Sequence, residues 1–112
     1  MTEEPAMDIV ISSRHVALSD KLREEITQGV QKLLRFFEGL HDARVVVDQD
    51  GDQRIVELTV CAPKGRSFVA RADAPTVRQA ARIAKNKVEA QVRRLKERLQ
   101  AKRPKNGASF VA

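Results

Sequence analysis

The sequence predicts an α+β domain of order β-α-β-β-β-α, a four-stranded sheet with two helices packed on one face. Three observations carry this. Four short stretches alternate apolar and polar residues, the period of a strand with one buried face. Two longer stretches repeat apolar residues every three or four positions, the period of a helix with one buried stripe. Each strand then offers one face and each helix one stripe, so the economical packing sets both helices on the same side of the sheet. The 112 residues suffice for one core and not for two.

Residues 1–6 are acidic and carry Pro5, and read as a flexible leader. The single domain is expected over residues 7–103. Met7 to Ser13 is rich in β-branched residues, with Met7, Ile9 and Ile11 on the buried face. Ser19 is a good N-cap for the first helix, and Asp20, Glu24 and Glu25 lie in its first turns, where the helix dipole favours acids. Leu18, Leu22, Ile26, Val30, Leu33 and Phe37 form its stripe, and Gly39 stands near the stop.

Ala43 to Asp48 reads as the second strand, and Gln49-Asp50-Gly51-Asp52 as a turn. Arg54 to Ala62 is the third strand, with Val56, Leu58, Val60 and Ala62 facing in. Pro63-Lys64-Gly65 closes a hairpin into the fourth strand, Arg66 to Ala72, with Phe68, Ala70 and Ala72 inward. Strands two to four form a meander, and the first strand is expected beside the second. Pro104-Lys105-Asn106-Gly107 breaks the last helix, and residues 104–112 read as a flexible tail.

The last helix, expected from Ala74 to Arg103 with Asp73 or Thr76 as its cap, is the most informative stretch. Val77, Ala81, Ala84, Val88, Val92, Leu95 and Leu99 make a narrow apolar stripe. Arg78, Arg82, Lys85, Arg93 and Lys96 lie along one flank of it, and Lys87, Arg94 and Arg98 along the other. Residues 75–112 hold eleven Lys/Arg against two Glu, whereas residues 1–74 hold ten against thirteen acids. The net charge of +6 is therefore concentrated in the last third, and the helix is expected to lack i,i+4 ion pairs of its own. Arg14, Lys32, Arg35, Lys64 and Arg66 add positive charge off the helix. Such an excess calls for a polyanion. A helix of this length would outrun the sheet, so its basic half from about Arg93 should project into solvent.

Other chemistry is thin. Ser12 and Ser13 lie beside His15, but the sequence places no carboxylate to orient the ring. His41 beside Asp42 reads as a turn. Asp48, Asp50 and Asp52 imitate the first ligands of a calcium loop without its spacing or flanking helices. No metal site, cofactor or catalytic group is expected, and no small-molecule substrate. One cysteine, Cys61, forms no internal disulfide, which suits a reducing cytoplasm. No apolar run approaches a membrane span. There is no Trp or Tyr, and Phe37 and Phe68 read as core, so no aromatic platform remains for stacking bases. Binding is expected to follow phosphate geometry and shape on structured RNA.

Four motifs carry a family resemblance: Asp8-Ile-Val-Ile-Ser-Ser-Arg-His-Val-Ala-Leu-Ser19, Gln31-Lys-Leu-Leu-Arg-Phe-Phe37, Ala62-Pro-Lys-Gly65 and Asn86-Lys-Val-Glu-Ala-Gln-Val-Arg-Arg-Leu-Lys-Glu-Arg-Leu99. In this order the chain resembles the bacterial ribosome hibernation promoting factor and ribosome-associated inhibitor family, in its short form. The resemblance implies a fold like a double-stranded-RNA-binding domain and a non-enzymatic protein of the stressed or stationary-phase cell. It implies binding to small-subunit ribosomal RNA near the decoding centre, with neighbouring ribosomal proteins as further contacts, and a block on messenger and transfer RNA. Carried over by position, the RNA-binding residues are Arg14, Lys32, Arg35, Lys85, Lys87, Arg94 and Lys96, with Lys64 and Arg66 of the hairpin beside them. The family often has an aromatic residue early in the last helix, where this chain has Val77-Arg78, and an acid where it has Arg82. Two other readings stand beside this one: a structured-RNA-binding module acting away from ribosomes, and a protein-interaction domain using the sheet face or the apolar tail.

Overall fold

A computed structural model describes residues 8–37 and 39–102. The elements are β1 (Asp8–Ser13), α1 (Asp20–Phe36), β2 (Asp42–Asp50), β3 (Gln53–Cys61), β4 (Ser67–Ala74) and α2 (Val77–Lys102). The expected leader 1–6, Met7 of the first strand, Arg103 and the tail 104–112 lie outside the described residues. The four strands form one sheet in the order β1-β2-β3-β4. β1 runs parallel to β2, with Ile11 opposite Val45, and α1 supplies the crossover that a parallel pair requires. β2, β3 and β4 form the antiparallel meander, with Val45 opposite Leu58 and Leu58 opposite Ala70.

Both helices cover the same face of the sheet. Val45, Val47, Val56, Leu58, Val60, Phe68, Ala70 and Ala72 point from it into the core. Ile26, Val30, Leu33, Leu34 and Phe37 meet them from α1, and Val77, Ala80, Ala84, Val88 and Val92 from α2. Fully burying a valine such as Val45, Val60 or Val88 stabilises the fold by about 1.5–3 kcal/mol. No polar or charged residue is buried among the described residues, so the core is held by apolar packing alone.

Local chemistry sets the element ends. Ser19 caps α1, its side chain accepting from the Leu22 N–H at 3.1 Å. Phe37 is the C-cap, its N–H reaching the Leu33 carbonyl at 3.2 Å, and Gly39 follows at φ +98°. β2 reaches Asp50, two residues further than expected, because the turn is only Gly51-Asp52. Gly51 stands at φ +62° at the first turn position, as a type II′ hairpin turn requires. β4 ends at Ala74, paired with Arg54, rather than at Ala72. Pro75 has no N–H to continue a ladder and ends it. Thr76 then caps α2 by accepting from the Gln79 N–H at 3.2 Å, so the helix begins at Val77, three residues later than expected.

Two features of α2 correct the sequence reading. Ala80 is fully buried while Ala81 is half-buried, so the stripe runs through 77, 80, 84, 88 and 92. The helix also lies antiparallel along β4 rather than across the sheet, and the core extends under it to Val92 and the half-buried Leu95. Only past Leu95 does it leave the core, and Leu99, expected on the stripe, is 43% exposed.

A candidate nucleic-acid interface on the helical face

α2 has one flank against α1 and the other against the open edge of β4. The flanks are those of the two cationic rows expected from helical periodicity. On the α1 side, the Arg78 Nε donates to Glu25 Oε1 at 2.7 Å. The guanidinium holds the Glu25 carboxyl below the usual carboxylate range, mainly through this hydrogen bond, and Glu25 in turn raises Arg78. One turn further, Arg82 and Lys85 line the cleft between the helices. Lys32 of α1 faces Lys85 across the next stretch of that cleft, with Leu33 and Glu89 beside them. Lys85 passes close to the α1 backbone, its Cδ 3.7 Å from where a Cβ on Gly29 would stand.

The cleft has an apolar floor. Leu22, Ile26, Gly29 and Val30 of α1 and Ala81 of α2 form it, enclosing about 210 Å³. A second hollow of about 150 Å³ continues it past Lys85. Arg82 and Lys85 carry no ion pair among the described residues. Arg93 does: its Nη2 meets Glu89 Oε2 at 2.8 Å. This i,i+4 pair corrects the expectation that α2 has none. Together with the Arg78–Glu25 pair, it shortens the uncompensated row.

The remaining candidates divide among four places. Lys64 and Arg66 of the β3–β4 hairpin and Lys96 of α2 border one hollow with Pro63 and Leu95. Lys96 Nζ sits 5.5 Å from the centroid of the Phe37 ring, a cation–π contact. Arg35, in the last turn of α1, is exposed. Lys87 faces the other way, its Nζ donating to the Arg71 carbonyl of β4 at 3.0 Å. Arg94 shares that flank by helical spacing and is exposed. Arg14 is also exposed and lies at the opposite end of the sheet, where its N–H pairs with the Val47 carbonyl. The structure thus brings Lys32 and Lys85 together, and Lys64, Arg66 and Lys96, but not Arg14 with either group. The sequence reading left Arg82 off the list of candidate contacts, although its place on the same flank as Lys85 signalled it.

The polar clusters elsewhere are structural. Asp48 Oδ1 lies 3.1 Å from His15 Nδ1, supplying the carboxylate that the sequence reading did not find. The His15 hydrogen bond, then the Gln49 N–H, hold the Asp48 carboxyl below its ordinary value. Ser13 Oγ donates to the Val16 carbonyl and so is not turned to that ring. The cluster clamps the β1–α1 connection, in which His15 adopts φ +62°. His41 Nδ1 bonds its neighbour Asp42 at 3.0 Å. Among the described residues, no group of three or more His, Cys, Asp or Glu side chains could hold a metal, and no helix is long and apolar enough to cross a membrane.

Solved structures share this architecture. A ribosomal subunit interface protein from Coxiella burnetii superposes with a TM-score of 0.73 at 19% identity, over 81% of this chain and 99% of that one. The N-terminal domain of Thermus thermophilus Protein Y superposes with a TM-score of 0.70 at 25% identity, over 80% of this chain and 99% of the other. No curated protein matches the chain in sequence. A family model does match it, over residues 9–100, and the chain belongs to that family, the Sigma 54 modulation protein / S30EA ribosomal protein family, a ribosome-associated and non-enzymatic group that includes the hibernation factors its motifs resemble.

Proposed function

We propose that this protein binds the small ribosomal subunit through its helical face, contacts ribosomal RNA near the decoding centre, and silences translation by excluding messenger and transfer RNA. Its place of action is the cytoplasm of the stressed or stationary-phase cell. The observation that carries the reading is the group of exposed or half-buried cations without ion pairs, Lys32, Arg82 and Lys85, along the cleft between α1 and α2, with Lys96 further along α2. Clustering like charges costs free energy unless a polyanion neutralises them. Family membership supports a ribosomal polyanion over others.

Purified ribosomes and their separated subunits test this by co-sedimentation in dilute and concentrated salt. The expected result is a complex with the small subunit in dilute buffer, lost steeply as salt rises. Absence of the protein from the ribosomal pellet in dilute buffer overturns the proposal. A protein-interaction role has one observation in its favour: Val10 and Val69 are 53% and 47% exposed on the uncovered sheet face. Pelleting that survives high salt favours that face over the helical one.

A further inference from the structure

We propose that the cleft between α1 and α2 receives one unstacked nucleotide of the bound RNA. The base lies on the apolar floor against the Arg78 guanidinium, and the adjoining phosphates lie on Arg82 and Lys85. The inference rests on the RNA-binding reading and names what that surface holds.

Three observations carry it. First, the cleft is amphipathic in a particular way. Its floor is aliphatic, yet Arg78, Arg82 and Lys85 all stand on its rim with only one carboxylate, Glu25, among them. An acyl chain or an apolar helix would leave those cations idle. A nucleotide has both a flat, weakly polar ring and a negative charge within a few ångströms of it.

Second, Arg78 is pinned. The bond from its Nε to Glu25 at 2.7 Å restrains the guanidinium at the edge of the cleft. Unstacked RNA bases stack on arginine planes as they do on aromatic rings. A restrained plane loses less entropy in doing so than a free side chain. Phe37 and Phe68 are buried in the core, so Arg78 supplies a flat stacking surface at the cleft that these rings cannot.

Third, the floor is kept low by small residues. Gly29 lies in mid-helix, where alanine would favour the helix. A Cβ there would meet only ordinary contact, at 3.7 Å from the Lys85 Cδ, so helix packing does not require glycine. Gly29 and the half-buried Ala81 instead leave open the slot that longer side chains would fill. The hollow of about 210 Å³ is of a size to take a base and far too small for a duplex.

The test compares the unaltered protein with Ala81→Leu, which fills the slot, and Arg78→Lys, which keeps the charge and removes the plane. Each is bound to purified small ribosomal subunits, and the reactivity of RNA bases to dimethyl sulfate is mapped alongside the affinity. Binding of the unaltered protein is expected to change the reactivity of an unpaired base. Ala81→Leu should still bind with the same salt slope, but about tenfold more weakly and without that change, the scale of one lost stack. Arg78→Lys should behave likewise, which guards against a folding defect in the first variant. Unaltered affinity and base reactivity in both variants overturn the proposal while leaving subunit binding standing. Failure of the unaltered protein to bind subunits overturns both readings. If adenosine 5′-monophosphate alone shifts the Gly29 and Ala81 amide resonances while the variants keep the RNA pattern, the occupant is a free nucleotide and the proposal falls.

Discussion

The Lys87 ammonium donates to the Arg71 carbonyl at 3.0 Å, and one helical turn later the Gln91 amide donates to the Val69 carbonyl at 2.8 Å. Four helical residues advance about 6 Å and two strand residues about 6.8 Å, so α2 keeps step with β4 as the two run antiparallel. The outer carbonyls of an edge strand are a template for pairing with another chain. Here the helix that covers the sheet face also covers that edge. Lys87 therefore has a structural partner besides any phosphate.

Removing both donors should expose the edge. The double variant Lys87→Ala/Gln91→Ala is expected to stay folded and to self-associate at concentrations where the unaltered protein is monomeric. Sedimentation velocity over a concentration series measures this. Identical sedimentation of the two proteins would show that these bonds do not guard the edge.

The contact between α2 and the sheet depends on small residues. Ala80 and Ala84 are fully buried, and a larger side chain at either would lift the helix from the strands. Ala80→Leu should cost about 1–3 kcal/mol in urea unfolding. Asn86→Leu, at an exposed position on the outer side of the same helix, should change stability by less than about 0.5 kcal/mol. Equal effects at the two positions would place the helix face wrongly.

Each cation that meets phosphate contributes to the salt dependence of binding. Replacing Lys32 and Lys85 with Ala together should weaken binding to small subunits and lower the slope of log K against log salt by about 0.7–0.9 per residue. Arg14→Ala, at the other end of the sheet, tests whether the interface reaches that far. A slope unchanged in the Lys32/Lys85 variant would take the cleft out of the contact.

The Glu25–Arg78 pair has a pH signature. Glu25 titrates below its ordinary value in the folded protein. Its contribution is thus fully present above the unfolded carboxylate range, and is lost as pH falls through the lower folded value. In an NMR titration the Glu25 carboxyl should have a higher midpoint in Arg78→Ala than in the unaltered protein. Coincident midpoints would mean that the pair does not form in solution. The pair is exposed, so high salt should narrow the difference.

Periodicity and caps made most of the fold legible. Alternation in Val56, Leu58 and Val60 named the buried face of β3, Ser19 marked the start of α1, and the two cationic rows of α2 followed from residue spacing alone. These are local properties, carried within one strand or a few helical turns. The same locality explains the misses. Thr76 is one of two caps the sequence offers, but α2 starts at Val77 rather than Ala74, because ladder pairing with Arg54 holds Ala74 in β4. Ala80 and Ala81 are chemically identical, so composition could not say which one faced the sheet.

What the sequence by itself determined was the order of elements, the side of each that is apolar, and an excess of positive charge on the last helix. What only the tertiary structure decided was the partner of each charge. Arg78 meets Glu25 across 53 positions of sequence, His15 meets Asp48 across 33, and Lys87 reaches a β4 carbonyl. Such pairings depend on which flank of a helix lies against which neighbour. That relation is set by how the elements pack together, and no repeat within a single element encodes it.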